Sequence, residues 1–204
     1  MKLLRVGKLP TVRPKNVWAP CPCRHGQPYR RCCETAARAA ERRPPGPQTG
    51  YGHANCYANS LRDCSQSISK EHPLSAAVLR RLTVGGTVRV RDFAFQNAGD
   101  VKHLTPASLA PAVLCERHNS ALSQLDQAGT DFFLRMESVV RSASGGRAPM
   151  SRELFNGNDV ERWLLKMMAG HIAGGWAKRD ARQVPDWWPE VIWGGRPLVG
   201  PDGL

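Results

Sequence analysis

The sequence predicts an α+β protein in which a small cysteine-rich knuckle precedes a mixed core and C-terminal helices. Three observations support this fold class. The cysteines fall into two groups along the chain. Residues 87–95 alternate imperfectly between apolar and polar side chains, as in a short strand. A helix should follow Asn119 and bury one face, and a second, strongly apolar helix should span 158–175. The apolar residues at helical spacing in the first are Leu122, Leu125, Phe132, Phe133, Met136 and Val140.

Composition shifts divide the chain into five parts. The run Pro44-Pro45-Gly46-Pro47 cannot continue a helix and marks the main boundary. The predicted parts are a basic arm (1–19), a zinc knuckle with a short helix (20–43), a Pro-rich linker (44–50), the main domain (51–141), and a C-terminal helix with a Trp-rich tail packing on the core (142–204).

The formal net charge of +12 and the pI near 9.9 favour a polyanionic partner. Neutralising phosphates releases their counterions, which drives binding without sequence preference. Nucleic acid is therefore the expected partner, DNA ahead of RNA. The alternative is a solvated basic surface that only keeps the protein soluble.

The chain lacks the run of about 18 apolar residues that a membrane-spanning helix needs. Its first residues, MKLLRVGKLP, are too short an apolar stretch for a secretory leader and have no small-residue cleavage site behind them. We expect a cytoplasmic protein with no membrane partner.

Seven cysteines in a chain of this kind favour metal ligation over a complete set of disulfides. Two tetrahedral sites account for all of them, and each would hold one structural zinc ion. The first ligand set is Cys21, Cys23, Cys32 and Cys33. The second is Cys56, Cys64, Cys115 and His118, the histidine completing a set of three thiolates.

The N-terminal knuckle PCPCRHGQPYRRCCE resembles the SEC-C zinc-binding motif over about fifteen residues. The matching positions are Pro20, Cys21, Cys23, Gly26, Tyr29, Cys32 and Cys33. Arg24 and His25 depart from the usual glycine and serine, and His25 is an alternative zinc ligand. The resemblance implies an adaptor that contacts proteins or nucleic acid.

The segment Cys115-Glu116-Arg117-His118-Asn119 follows a second cysteine pair, and Lys70-Glu71-His72-Pro73 lies between the two pairs. This order resembles the HNH, or ββα-metal, endonucleases. The closest pattern is the His-Asn-Asn subclass, in which an acidic residue and a histidine end the first strand and an asparagine follows the second zinc-binding pair. Glu71, His72 and Asn119 occupy those positions.

The resemblance implies a phosphodiester hydrolase with one catalytic Mg²⁺ or Mn²⁺. His72 would be the general base, because a near-neutral imidazole pKa suits proton abstraction from water. Glu71 and the Asn119 carbonyl oxygen would hold the cation, as hard cations prefer oxygen ligands. The second zinc would fix the hairpin to the helix that carries Asn119. The implied fold is a ββα-metal core with an inserted β element.

The chain departs from the family pattern in three ways. Seven residues separate Cys56 from Cys64, where two are usual, and 46 separate His72 from Asn119. The middle residue that orients the base is not identifiable, and Asn97 and His103 are the candidates. Asp126 is either a third acidic ligand or a solvated helix charge.

Each site residue also has an ordinary structural explanation. Asn119 would cap a helix, His72 would be a loop histidine, and Glu71 would be a surface charge. Their joint order around the zinc ligands favours the nuclease.

Two rival functions remain open. One is a non-catalytic zinc protein that binds nucleic acid or acts as an adaptor. The other is a thiol redox protein using Cys32 and Cys33, whose adjacency suits zinc better than a disulfide. Two-fold-symmetric substrates would suit a homodimer.

Overall fold

A computed structural model describes residues 44–145, 157–177 and 183–194. The knuckle cysteines Cys21, Cys23, Cys32 and Cys33, the alternative ligand His25 and the short helix expected near residues 35–43 lie outside these ranges. Within the described ranges, no helix combines the length and apolar character needed to cross a bilayer.

The described chain is a mixed α+β structure in which two small sheets precede long helices, as the sequence predicted. The strands are β1 (Ile68–Ser69), β2 (Val88–Arg91), β3 (Val101–Leu104) and β4 (Leu114–Cys115). The helices are α1 (Ala76–Leu82), α2 (Glu116–Ala121), α3 (Ser123–Ser144), α4 (Gly157–Ala173) and α5 (Trp188–Ile192). Single 3₁₀ turns occur at Asn59–Leu61 and Pro106–Leu109.

The first sheet joins two segments that are distant in sequence. β1 and β4 pair antiparallel, with Ile68 opposite Cys115 and Ser69 opposite Leu114. The backbone N–H of Glu116 also donates to the Ser67 carbonyl oxygen. This pairing holds the start of α2 beside the segment that continues from β1 into Glu71.

The second sheet is the hairpin of β2 and β3, inserted between β1 and β4. Val88 and Val90 are buried on one face of β2, while Arg89 and Arg91 are exposed on the other. The strand is shorter than the predicted 87–95, because the chain turns after Arg91 and the Gln96 side chain accepts a hydrogen bond from the Phe93 backbone.

The single helix expected after Asn119 is two helices, α2 and α3, with Leu122 between them. Leu122 and Leu125 are buried, as predicted. The expectation that Met136 and Val140 lie on the buried face is wrong, since they are 42% and 59% exposed. The buried residues of α3 all fall in its first third, ending at Thr130.

Helix α4 packs closely on α3. The Trp163 ring occupies the place where a side chain on Gly129 would lie, 2.2 Å from the position of an added Cβ. Gly170 similarly leaves room for Pro73, with 2.8 Å to the Pro73 ring. These contacts bring α4 against both α3 and the residues that follow His72.

The segment after α4 also contributes to the core. Val191, Ile192 and Trp193 are buried in or just after α5, and Ser60 donates a hydrogen bond to the Asp186 carbonyl oxygen. Trp193 thus packs in the core, whereas Trp187 is 39% exposed.

Candidate metal centre and active site

Cys56, Cys64, Cys115 and His118 form one buried cluster, and their ligand atoms all lie within 4.8 Å of one another. The four residues come from a loop, the segment before β1, the end of β4 and the first turn of α2. Cys56, which seven residues separate from Cys64, joins the cluster with the other three. Three cysteines and one histidine are a usual ligand set for structural zinc, so the cluster could hold one zinc ion.

The nitrogen-to-sulfur distances to Cys56 and Cys64 fit a tetrahedral zinc site, and the distance to Cys115 is shorter. The His118 Nδ1 atom lies 3.6 Å from the Sγ atoms of both Cys56 and Cys64, and 3.2 Å from Cys115 Sγ. Zinc bonds of about 2.3 Å to sulfur and about 2.0–2.1 Å to nitrogen would place these atoms about 3.5–3.6 Å apart at tetrahedral angles. Nδ1 is therefore the His118 nitrogen placed to coordinate a zinc ion held by this cluster.

The protonation states within the cluster depend on a cation. Burial raises the pKa of the Cys56 and Cys64 thiols. Burial also opposes ionisation of Cys115, but N–H groups of His118 and Ser65 donate toward its sulfur and lower its pKa. Burial lowers the pKa of His118 to about 4, which keeps its imidazole neutral and able to coordinate. A bound divalent cation would reverse the rise at the two thiols.

An ion pair ties the two halves of the cluster together. The Arg117 guanidinium, beside His118, binds both carboxylate oxygens of Asp63, beside Cys64, at 2.9 and 3.2 Å. The same guanidinium donates to the carbonyl oxygens of Pro45 and Pro47. The segment predicted as a Pro-rich linker is thereby bound to the ligand loops.

Beside the cluster is a cavity of about 270 Å³ that holds the predicted site residues. Glu71, His72, Asn119 and Asp126 all line it. A larger cavity of about 470 Å³ lies near residues 54–59 and 183–186, but its lining carries one carboxylate, Asp186, and no histidine. The chemically suited residues therefore converge on the smaller cavity.

His72 is bound at one ring nitrogen. Its Nε2 atom lies 3.2 Å from the carbonyl oxygen of Pro106. A carbonyl oxygen only accepts, so Nε2 carries the proton and Nδ1 is the basic nitrogen. Burial lowers the pKa of His72, and the nearby Lys166 and Arg80 charges act in the same direction.

The residue that orients His72 is neither of the two sequence candidates. Asn97 is exposed in the turn before β3, and His103 is exposed on β3. The carbonyl oxygen of Pro106 takes this place. The sequence could not predict it, because every residue type has a backbone carbonyl.

Asn119 is fixed from the side of β1. Its Nδ2 atom donates to the Ser69 hydroxyl at 2.9 Å and to the Lys70 carbonyl oxygen at 3.1 Å. The amide oxygen Oδ1 is left for other contacts. Asn119 does not cap the helix, since Cys115 is the N-cap residue of α2.

Glu71 and Asp126 are joined through a buried lysine, Lys166, that was not among the predicted site residues. Glu71 is 3% exposed and forms an ion pair with Lys166, so it is not a surface charge. Burial raises the pKa of Glu71 to about 7, against the opposing effect of the Lys166 ammonium. Asp126 accepts from the Lys166 ammonium at 2.9 Å and from the Ser75 hydroxyl at 2.7 Å, so it is not merely a solvated helix charge.

A signal for Lys166 was present in the sequence. It is a lone charge among Leu164, Leu165, Met167 and Met168 in a helix predicted to be strongly apolar. A buried charge needs a partner of opposite sign. The pattern did not identify the partners, which lie 40 or more positions away in the chain.

A comparison of the chain with protein-family models, with curated proteins and with solved structures found no match.

Proposed function

We propose that the protein is a metal-dependent endonuclease of the HNH type that hydrolyses phosphodiester bonds in DNA. The observation that carries the proposal is the cavity shared by Glu71, His72 and Asn119, directly beside the Cys₃His cluster. An acid, a base and an amide oxygen donor on one small cavity are the parts that metal-assisted hydrolysis requires.

The donor set of the cavity suits a single Mg²⁺ or Mn²⁺ ion. Glu71 and the Asn119 Oδ1 atom supply oxygen ligands, and Asp126 is a third candidate. Lys166 binds Oε1 of Glu71 and Oδ1 of Asp126, so a cation would use the other oxygen of each carboxylate. When bound, the cation would neutralise charge on the scissile phosphate and the leaving oxygen.

His72 serves as the general base in this proposal. The Pro106 carbonyl oxygen holds Nε2–H and sets the tautomer, so Nδ1 accepts a proton from the attacking water. Burial keeps the ring neutral at pH 7, since its pKa is lowered from the usual value. Because the partner of His72 is the main-chain carbonyl of Pro106, no charged side chain is needed to keep this tautomer.

The Cys₃His zinc has a structural role in the proposal. Four protein ligands leave no open position for water, as in structural zinc sites. The zinc would fix α2 to the loops before β1, and the two hydrogen bonds from Asn119 then hold its amide beside Lys70. The N-terminal knuckle, with its predicted second zinc, would help to hold nucleic acid or a protein partner.

Plasmid cleavage tests the proposal. The purified, zinc-loaded protein should nick or cut plasmid DNA when Mg²⁺ or Mn²⁺ is added. The activity should be lost when EDTA removes the divalent cations, and adding back only zinc should not restore it. His72→Ala should abolish cleavage while zinc content is unchanged. His103→Ala, a histidine outside the cavity, is the matched control and should retain metal-dependent cleavage. Equal cleavage by His72→Ala would overturn the role of the base.

A second candidate function is supported by one observation. Lys166 already balances part of the charge on Glu71 and Asp126, so these carboxylates do not need a catalytic cation. This fits a non-catalytic zinc protein that binds nucleic acid. That function predicts salt-sensitive DNA binding without cleavage under any divalent cation. The plasmid assay, read beside a binding assay, separates the two.

A further inference from the structure

The Lys166 side chain is completely buried, and its ammonium group is surrounded by oxygen atoms. It contacts the Glu71 carboxylate and Asp126 Oδ1, the latter at 2.9 Å. It also donates to the carbonyl oxygens of His72 at 2.7 Å and Pro73 at 3.3 Å. Two carboxylates and two main-chain carbonyls thus surround one positive charge.

This oxygen cage has the composition of a cation site. Carboxylate and carbonyl oxygens are the ligands that hard divalent cations take. An ammonium group is costly to bury, and well-packed apolar residues often replace buried ion pairs without loss of stability. Since the neighbours of Lys166 on α4 are apolar, folding alone does not explain the charge at this position.

We propose that Lys166 is the built-in cation of the site, a positioning residue that takes the place of a second metal ion. Its ammonium fixes Glu71, Asp126 and the His72 main chain in one arrangement. This inference rests on the proposed nuclease function and adds to it the number of exchangeable cations. With Lys166 in place, two carboxylates and one ammonium leave a net charge of −1 for a single divalent cation.

Removing the ammonium should open the cage to a second divalent cation. Lys166→Ala leaves two carboxylates and two carbonyls around an empty volume. Lys166→Met is the matched control, since its apolar side chain of similar length fills the same volume without charge. The double variant Lys166→Ala/Asp126→Asn removes one carboxylate of the cage.

The test counts bound Mn²⁺ by electron paramagnetic resonance in the zinc-loaded full-length protein. We expect one Mn²⁺ per chain for the wild type and for Lys166→Met, two for Lys166→Ala, and one for the double variant. Addition of Mn²⁺ should also raise the melting temperature of Lys166→Ala by more than it raises that of the wild type. In cleavage assays Lys166→Met should lower kcat by roughly 10- to 100-fold with little change in KM for DNA.

The outcomes separate this inference from the proposed function. An equal Mn²⁺ count in Lys166→Ala and the wild type overturns the inference, and so does a Lys166→Ala protein that stays unfolded at millimolar Mn²⁺. A wild type with no bound Mn²⁺ and a Lys166→Ala protein with one would support the inference while contradicting the exchangeable cation of the proposed nuclease.

Discussion

His72 is held at one ring nitrogen and is free to act as a base at the other. The proton on Nε2 is required by the Pro106 carbonyl oxygen, so the tautomer follows from the contact itself. Glu71, the next residue upstream, has a raised pKa of about 7 because it is buried. The pKa values of these two neighbouring residues are therefore shifted in opposite directions, that of Glu71 upward and that of His72 downward.

These shifts predict how cleavage depends on pH. At low Mg²⁺ the rate should rise with pH around a midpoint near 7, because Glu71 must lose its proton to bind the cation. At saturating Mg²⁺ the cation displaces that proton, and the midpoint should fall to the pKa of His72, which burial lowers from its ordinary value. Profiles of kcat/KM at the two Mg²⁺ concentrations measure this shift. A midpoint independent of Mg²⁺ would contradict it.

His118 gives a second prediction at the residue scale. His118→Ala should lose one zinc equivalent per chain and melt at a lower temperature, because three buried cysteines remain without their fourth ligand. His103→Ala, on the exposed face of β3, should keep the wild-type zinc content and melting temperature. Metal analysis and thermal unfolding of both variants provide the measurement. Unchanged zinc in His118→Ala would exclude it as a ligand.

At the scale of elements, the contact between α3 and α4 decides where Lys166 lies. Gly129 allows the Trp163 ring to approach α3, and Trp163 donates from its indole N–H to Ser75 Oγ at 2.9 Å. Ser75 in turn donates to Asp126. The packing of two helices is thereby connected to the acidic wall of the cavity.

Gly129→Ala tests this packing. Alanine normally stabilises a helix interior by about 0.5–1 kcal/mol relative to glycine. Here the added Cβ would overlap the Trp163 ring, so we expect a net loss of about 1–3 kcal/mol in the free energy of unfolding. Gly145→Ala, whose nearest neighbour would be 3.7 Å away, is the control. Denaturant unfolding that shows Gly129→Ala to be the more stable of the two would refute the contact.

The hairpin of β2 and β3 is the element we expect to contact the DNA backbone. It presents Arg89 and Arg91 outward, and the chain leads from β3 to Pro106, which contacts His72. Arg89→Gln/Arg91→Gln should weaken DNA binding at all sequences and reduce the slope of log affinity against log salt by about 0.9 per lost phosphate contact.

The control for the hairpin variant is Arg141→Gln. Arg141 lies fifteen residues beyond Asp126 on α3, about 22 Å along the helix. Binding is measured in the His72→Ala background without divalent cation, so that cleavage does not interfere. An equal loss of affinity in the control would show that the hairpin has no special role.

On the scale of the whole molecule, positive charge is concentrated at the N-terminal end. The first 43 residues contain eleven Lys and Arg against two Glu, so this segment carries +9 of the net +12. If the protein binds nucleic acid as proposed, most of the electrostatic attraction should therefore come from residues 1–43.

The sequence predicted the Cys₃His cluster from its residue types, and it predicted the mixed α+β class from apolar periodicity. It did not predict β3, α5 or the division between α2 and α3. It predicted Glu71, His72 and Asn119 as a group through their order relative to the cysteines. It did not predict Pro106 or Lys166. Both act through contacts with residues far along the chain, and main-chain carbonyls take part in each, which residue identity does not reveal.

The proposed nuclease requires one exchangeable cation at the cavity that Glu71, His72 and Asn119 line. Anomalous diffraction from crystals of the zinc-loaded protein soaked in Mn²⁺ measures this directly. We expect one manganese peak in the cavity, bonded to Glu71 and to Asn119 Oδ1, separate from a zinc peak at the Cys₃His cluster. A zinc peak without manganese in the cavity, or manganese bound only elsewhere, would contradict it.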